Sequence, residues 1–268
     1  MGNRSIMKVT ECAEAWDGEG DDFKFDHWAI VLTNGTEMFR SRNNSRDDGE
    51  LALNQEIDIA ELECPIHQIL PEDMWPPFEE GLLVAPQPTP DEVFIKKRVL
   101  VTFDPQEKGP KTVRPCDHLL HEAKMCEILR KKPHPNIASY FGVIEDDGLI
   151  KALCFAKYEE TLGDRMRDLD RPLNVLEFME GVKNGLDHLH SLGLNHNDVN
   201  PRNIMLDKQD VPVIIDFDCC EWEGNEAQGC GTLMWIPDDK GFQLSERKND
   251  DFGWEAVRNA LLTSYNAG

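Results

Sequence analysis

The sequence lacks any long apolar run. No window approaches the roughly 18 consecutive apolar residues that a membrane-spanning helix requires, and the first residues lead into acidic sequence rather than into an apolar signal stretch. Ile6 stands where an N-myristoylation motif requires serine or threonine. We therefore expect an intracellular protein of the cytosol or the nucleus, with no membrane partner.

Basic residues are also scarce. The 268 residues include 28 lysines and arginines against 51 aspartates and glutamates, a formal net charge of −23, which disfavours nucleic acid and anionic membranes as partners. The eight cysteines form no C-x-x-C pair, which argues against a zinc site and for a reducing compartment. The length suits one two-lobed domain or two small ones.

The most informative stretch lies between residues 194 and 218. His196, Asp198 and Asn203 follow the order H-x-D-x-x-x-x-N, and two short apolar strands with a polar turn between them come next. The second strand ends in Asp216, which is followed by Phe-Asp. A strand-turn-strand unit of this kind brings the three polar side chains to one end of the unit.

These residue types suit phosphoryl transfer, which depends on positioning and on neutralisation of charge. Mg²⁺ prefers oxygen ligands such as an aspartate carboxylate and an asparagine carbonyl, and a separate aspartate can take the proton of an attacking hydroxyl. The alternative interpretation is a buried hairpin with polar residues in its turns. The combined pattern and spacing favour the phosphoryl-transfer interpretation.

The stretch resembles the catalytic loop and the D-F-G motif of the eukaryotic protein-kinase-like superfamily. His-Pro-Asn-Ile at residues 134–137 also belongs to this resemblance, which covers roughly residues 92–262. The sequence of these motifs is similar to that of short, divergent kinase-like proteins of filamentous fungi. The resemblance implies an α+β, two-lobed protein-kinase-like fold with a small β-rich N-lobe and a truncated, mainly helical C-lobe. It also implies ATP and Mg²⁺ as ligands, Asp198 as the catalytic base, and Asn203 and Asp216 as metal ligands.

The residues Val-Phe-Ile-Lys that end at Lys96 look like the V-A-I-K strand of kinases, within a strand predicted over residues 92–98. The resemblance implies that Lys96 contacts the α- and β-phosphates of ATP. In a register shifted by one residue, Lys97 would make this contact instead. The alternative interpretation is that residues 96–98 are a solvated basic cluster. A helix predicted over residues 117–131, with Asp117 as its N-cap, would supply the glutamate that pairs with this lysine.

Glu122 is the preferred candidate for that partner. Counted back from His134, it lies about one helical turn before the position that the paired glutamate has in kinases, and so on the same face of the helix. Glu127 lies out of phase and is expected to point elsewhere, and either acid can instead be a solvated surface residue. Two strands predicted over residues 138–144 and 149–155 lead into Ala156-Lys157-Tyr158. This segment corresponds in position to the hinge between the two lobes of a kinase. The resemblance implies that the backbone of Ala156 and Tyr158 there contacts adenine.

A helix over residues 174–192 is predicted from apolar residues at spacings of three and four. Asn174 can cap it and Gly193 can end it, and we assign its histidines, His188 and His190, to structure rather than to metal binding. Further on, Asp250 resembles the F-helix aspartate that holds the backbone of the catalytic loop.

The sequence divides into four predicted regions. Residues 1–26 are expected to be an acidic, mobile N-terminus. Residues 27–91 are expected to be an extension, in which a hairpin with a two-residue type I′ turn at Asn34-Gly35 provides the first two N-lobe strands before an irregular insert. The N-lobe and hinge then occupy residues 92–157, and the C-lobe occupies residues 158–268.

The sequence departs from the kinase pattern at four points. No glycine-rich loop precedes Lys96, so the loop over the phosphates would be reduced to a tight turn. Asn197 replaces the arginine before the catalytic aspartate, which predicts no control by phosphorylation of the activation segment. Asn200 replaces a lysine that neutralises the γ-phosphate, and Asp218 replaces the glycine of D-F-G, which should restrict backbone flips.

Three functions are consistent with these residues. The first, which we favour, is an enzyme: a protein kinase that transfers the γ-phosphate of ATP to a hydroxyl of an unidentified protein, serine or threonine rather than tyrosine. The second is a pseudokinase-like module that binds ATP or acts as a scaffold. The third is a small-molecule phosphotransferase of the aminoglycoside or choline type. A monomer is expected in each case.

Overall fold

The computed structural model describes residues 6–17, 24–47, 49–86, 93–107, 113–168, 170–227, 231–232, 234–237 and 241–266. The chain divides into two compact units, one formed by Met1–Pro77 with Lys97–Leu119 and the other by Phe78–Lys96 with Leu120–Gly268. The described elements mix strands and helices, as the expected α+β class requires.

The first unit is built on a five-stranded antiparallel sheet in the order β4-β1-β2-β3-β5. Its strands are β1 (Ile6–Asp17), β2 (Lys24–Thr33), β3 (Met38–Asn43), β4 (Glu56–Asp58) and β5 (His67–Ile69), with a 3₁₀ turn at Ile59–Glu61 and the short helix α1 (Pro71–Met74). Successive side chains of β2 point to opposite faces. Ile30 and Leu32 thus enter one apolar cluster, and Val31 enters another.

The expectation of a mobile segment over residues 1–26 is wrong where the structure describes it, because Ile6–Asp17 is a strand. Met7 and Val9 alternate with exposed residues and are buried against Ile30 and Leu32. Of the acids in this strand, Glu14 and Asp17 are exposed, whereas the half-buried Glu11 accepts hydrogen bonds from the backbone N–H groups of residues 100 and 101 at 2.8 Å. The acidic run at residues 18–22 lies outside the described residues.

The hairpin around Asn34 is confirmed, but its turn and its place are not those predicted. Thr33 pairs with Met38, so four residues rather than two form the turn, and the Asn34 side chain accepts hydrogen bonds from the backbone N–H groups of residues 36 and 37. The two strands pair with β1 and β5 and not with the N-lobe sheet, because β1 and β5 occupy both outer edges of the hairpin. The irregular insert expected over residues 41–91 is wrong for residues 41–77, since these contribute the end of β3, β4, β5 and α1.

The second unit contains the main helices and three antiparallel sheets: a three-stranded one in the order β6-β8-β7, a second with three shorter strands in the order β12-β11-β9, and a two-stranded one of β10 and β13. The helices are α2 (Pro115–Arg130, in this unit from Leu120 onward), α3 (Leu162–Arg165), α4 (Val175–Ser191) and α5 (Arg247–Asn266). The strands are β6 (Val93–Lys96), β7 (Tyr140–Asp146), β8 (Leu149–Ala156), β9 (Glu160–Thr161), β10 (Leu194–Asn195), β11 (Ile204–Leu206), β12 (Pro212–Ile214) and β13 (Glu221–Trp222).

Helix α4 is the structural support of the candidate site. Asn174 caps it, since its side chain accepts a hydrogen bond from the backbone N–H of Glu177, and Gly193 follows it at a φ of +79°. Its apolar stripe, Phe178, Val182, Leu186 and Leu189 among others, is buried. Both ends therefore lie within a residue of the prediction, and the helix leads directly into β10 and the loop after it.

Helix α2 begins earlier than predicted. It starts at Pro115, so Asp117 lies in its first turn instead of capping it. The strand predicted over residues 92–98 is Val93–Lys96, and Glu92 lies outside the described residues. Among the described residues, no helix is long and apolar enough to cross a membrane.

Candidate functional site

Lys96, at the end of β6, is held between two carboxylates. Its Nζ lies 2.8 and 2.7 Å from the Oε1 and Oε2 atoms of Glu122 on α2 and 2.7 Å from Oδ1 of Asp216. Oε1 of Glu122 also accepts a hydrogen bond from the backbone N–H of Phe217 at 3.1 Å. The strand, the helix and the segment after β12 are thus joined at one lysine.

The charges around Lys96 shift one another. Burial opposes its charge, but the carboxylates of Glu122 and Asp216 outweigh that effect and raise the pKa of the ammonium. Burial raises the pKa of Glu122, and burial together with the charge of Asp216 raises the pKa of Asp218. Burial acts the same way on Asp216, yet Lys96 overcomes it and lowers the pKa of that carboxyl. One cation therefore faces more negative charge than it can neutralise.

The loop between β10 and β11 presents Asp198. Its Oδ2 accepts a hydrogen bond from the side-chain amide of Asn203 at 2.8 Å. Its Oδ1 accepts one from the backbone N–H of Thr232 at 2.7 Å, and the Thr232 hydroxyl lies 3.2 Å from Oδ2. The Asn200 side chain donates to the carbonyl oxygen of Asp198 and to the Thr232 hydroxyl, both at 3.1 Å.

Asp250 fixes the start of the same loop from α5. It is fully buried, and its carboxylate accepts hydrogen bonds from the backbone N–H groups of His196 at 2.9 Å and Asn197 at 2.8 Å. Nε2 of His190, on α4, lies 2.8 Å from Oδ2 of Asp250. The predicted contact between Asp250 and the loop backbone is confirmed.

The backbone conformation explains two residue types in the site, one in this loop and one after β12. Asn197 has a φ of +62° and Asp216 a φ of +65°, a left-handed region that asparagine and aspartate tolerate better than other side chains. Asp218 is not among the residues with positive φ. The structure therefore needs no glycine at position 218, where the kinase motif has one.

A cavity of about 410 Å³ opens beside Lys96. Its lining is mostly apolar and comes from Phe94, Lys96, Glu122, Ala138, Phe155–Tyr158, Thr161, Met205, Ile215 and Asp216. The backbone N–H of Ala156 is already used, since it donates to the carbonyl oxygen of Ser139. The backbone of Tyr158 makes no hydrogen bond within the described part of the chain. The volume suits a small ligand, and the lining suits one with an apolar face.

The donor set beside this cavity fits a hard divalent cation. Asn203 donates its amide N–H groups to the backbone and side chain of Asp198, and its carbonyl oxygen accepts no hydrogen bond among the described residues. The backbone carbonyl of Asn203 accepts from Ile215 N–H at 3.0 Å, which holds the two segments together next to Asp216. Carboxylate and amide oxygens are the ligands that Mg²⁺ prefers.

Lys96, Glu122 and Asp216, which were predicted from the sequence as site residues, lie in contact in the structure. The competing Lys97 lies beyond the end of β6 and is exposed, and Glu127 instead accepts hydrogen bonds from Leu83 N–H and from the Arg130 guanidinium.

Two contacts of Asp198 could not be read from the motif, those with Thr232 and Asn200. The Gly-Thr pair at residues 231–232 is a usable sequence signal for Thr232. The role of Asn200 has no such signal, because it depends on the three-dimensional surroundings of that side chain.

This geometry agrees with comparison to known proteins. The family model of the protein kinase domain matches residues 89–239, more than half of the chain. The chain belongs to the protein kinase family. Membership implies ATP as the ligand of the domain and confirms the expected kinase-like α+β fold.

Relatives of this family match at low identity. The human MAPK/MAK/MRK overlapping kinase is 33% identical over 98 residues, 35% of this chain and 23% of that kinase. A probable serine/threonine-protein kinase of Encephalitozoon cuniculi is 32% identical over 146 residues, 51% of this chain and 27% of the relative. The serine/threonine-protein kinase/endoribonuclease ire-1 of Caenorhabditis elegans is 22% identical over 229 residues, 81% of this chain and 22% of the relative. The chain thus spans about a quarter of the length of these curated relatives.

Proposed function

We propose that the protein is an ATP-dependent protein kinase that phosphorylates a serine or threonine of a protein substrate. In this proposal the cavity beside Lys96 receives the adenine, with Ala156 and Tyr158 at its hinge side. Lys96, held by Glu122, contacts the phosphates. Asp198 orients the attacking hydroxyl and accepts its proton.

The observation that carries the proposal is the position of the Lys96 ammonium, 2.7–2.8 Å from the carboxylates of both Glu122 and Asp216. These residues come from three separate stretches of the chain, and no structural need of the sheet requires a lysine among them. A partly buried ammonium arranged in this way is a preorganised phosphate contact. Asp198 lies on the loop whose Asn203 adjoins the segment of Asp216, so a donor phosphate and an acceptor hydroxyl would meet within one small region.

Asn203 and Asp216 are proposed to hold Mg²⁺. Bound there, the ion would neutralise the phosphate oxygens and orient the transferring group. The role of this chain is to offer the side-chain carbonyl oxygen of Asn203 and a carboxylate whose pKa Lys96 keeps low. The carboxylate of Asp218 lies close enough to Asp216 for that negative charge to raise its pKa, but the proposal assigns the ion to Asn203 and Asp216 alone.

The test is transfer of label from γ-labelled ATP to a generic protein substrate with Mg²⁺ or Mn²⁺. Asp198→Asn keeps the shape of the side chain and removes the base, so we expect transfer to fall by about 10²-fold or more, with ATP-induced thermal stabilisation retained. Asp147→Asn is the matched control and should transfer like the wild type, because this exposed residue between β7 and β8 has a positive φ that asparagine tolerates. Equal transfer by the Asp198 variant would refute the assigned base.

A pseudokinase-like binding module is the second candidate, favoured by two observations. The sheet over the cavity has only the strands β6, β8 and β7 among the described residues, and no glycine-rich sequence precedes it. Phosphates would then be covered less completely. Stabilisation by ATP without any transfer, in wild type and Asp198→Asn alike, would identify the module.

A further inference from the structure

The segment that follows Asp216 carries no phosphate acceptor. Residues 217–231 include no serine, threonine or tyrosine. The residue before Asp198 is Asn197, which is neutral and fully buried. Neither a phosphate on this segment nor a cation at position 197 is available to hold the segment in place, so another interaction must do so.

Asn197 makes that interaction with its side-chain amide. Nδ2 donates to the carbonyl oxygen of Cys219 at 3.0 Å and to Oγ of Ser245 at 3.0 Å. Its carbonyl oxygen accepts a hydrogen bond from Nδ2 of Asn249, on α5, at 2.9 Å. The residue next to Asp198 is thus tied both to the segment after Asp216 and to the helix that carries Asp250.

Ser245 lies at the centre of these contacts and is itself fully buried. Its hydroxyl accepts hydrogen bonds from the side chains of Asn195 at 3.1 Å and Asn197 at 3.0 Å, and donates to the carbonyl oxygen of Glu221 at 3.1 Å. One donor and two acceptor sites satisfy a hydroxyl completely. A buried hydroxyl paired in this way favours one arrangement of its neighbours.

The backbone extends the same connection. Gly224 N–H donates to Ser245 O at 2.7 Å, Ser245 N–H donates to Asn225 O at 2.8 Å, and Ala227 N–H donates to Gln243 O at 3.0 Å. The segment therefore runs as an extra antiparallel ladder beside residues 243–245. This ladder fixes the position of residues 224–227 without a ligand or a modification.

We propose that Ser245 is a positioning residue, which acts through Asn197 to hold Asp198 and residues 219–227 in the working arrangement without phosphorylation. The neutral group of Asn195, Asn197, Ser245 and Asn249 makes these connections with hydrogen bonds alone. The inference deepens the proposed function and rests on it for its effect on catalysis. Its structural part, order in residues 219–227, stands independently of activity.

The test compares Ser245→Ala, Asn197→Gly and the double variant with wild type. Glycine keeps the positive φ at 197 while removing the amide. Because loss of positioning near the reacting atoms costs on the order of 10- to 100-fold, we expect kcat to fall by about that factor in each single variant. KM for ATP should change little. The double variant should lose less kcat than the product of the two single losses, because the hydrogen bond between Asn197 and Ser245 is broken in both single variants. Ser191→Ala, which removes an exposed serine hydroxyl that bonds to His188 O, is the control and should match wild type.

Hydrogen exchange of residues 219–227 is the readout that needs no activity. Faster exchange in Ser245→Ala than in Ser191→Ala supports the inference, as does wild-type transfer that phosphatase treatment leaves unchanged. Unaltered exchange, or additive losses of kcat in the double variant, would overturn it. Absence of transfer by wild type would instead reject the proposed function, and exchange alone would then decide whether Ser245 holds the segment.

Discussion

Replacing Asp250 by asparagine removes one buried negative charge and leaves the size of the side chain unchanged. The carboxylate accepts three hydrogen bonds, from the backbone N–H groups of His196 and Asn197 and from Nε2 of His190, at 2.8–2.9 Å. An amide has only one acceptor oxygen. In either orientation of the new amide, its NH₂ group therefore faces at least one of these N–H donors, and the two groups cannot form a hydrogen bond with each other.

The cost follows from the burial of the site. Hydrogen bonds to a charged group contribute about 1.5–3 kcal/mol each, and a buried donor left without a partner costs about 1–3 kcal/mol. With one donor unpaired and the others weakened, Asp250→Asn should lower the free energy of unfolding by about 2–4 kcal/mol. The variant should also lower kcat, because both backbone groups that it releases lie directly before Asp198.

The neighbouring residue provides the control. Asp251 is 49% exposed and forms an ion pair with Lys183 at 3.0 Å, so Asp251→Asn should cost less than about 1 kcal/mol. Urea unfolding followed by fluorescence, with ATP turnover measured on the same samples, compares the two. Equal loss of stability in both variants would refute the assignment of Asp250 as the anchor of the loop.

Three further predictions concern single contacts. Lys96→Met should abolish the rise in melting temperature that ATP causes, whereas Lys97→Met, the same change one residue along, should keep it. Gly185→Ala should destabilise the protein by about 1–3 kcal/mol in urea unfolding, because the added Cβ would lie 2.9 Å from a backbone oxygen of a neighbouring segment; no loss would show that the segment yields. Burial and the adjacent His188 lower the pKa of His134, whose ring stacks on His188 at 4.8 Å. The unfolded chain therefore takes up this proton more readily, so the melting temperature should fall as pH drops below the ordinary histidine pKa of about 6.5, and less steeply in His188→Gln; identical slopes would refute this.

Much of the site could be predicted from the sequence because its key residues lie close together along the chain. Asp198, Asn203 and Asp216 belong to one strand-turn-strand unit, and the order of polar and apolar residues there fixes which side chains share an end. The partner of Lys96 could not be predicted from closeness along the chain, because Glu122 lies on a separate helix. Helical phase was enough to separate it from Glu127, because positions five apart cannot face the same neighbour.

The N-terminal sheet could not be predicted in the same way. The acidic composition of residues 1–26 outweighed the alternation of Met7 and Val9 with exposed residues, a short signal that becomes meaningful only when β2 is available to pack against. The place of the hairpin around Asn34 was missed for a related reason. A strand pattern predicts that two strands pair, but which sheet they join depends on partners distant in sequence.

The substitutions at Asn197 and Asn200 show most clearly what a sequence motif leaves out. Compared with the kinase pattern, each removes a positive charge, and loss of charge alone suggests loss of function. In the structure both side chains are nearly or fully buried. Asn200 bridges Asp198 and Thr232, and Asn197 joins Ser245 to Cys219. An asparagine can both donate and accept, whereas arginine and lysine only donate. The connections of the loop therefore survive as neutral hydrogen bonds, and what the replacement removes is the attraction for a phosphate rather than the order of the site.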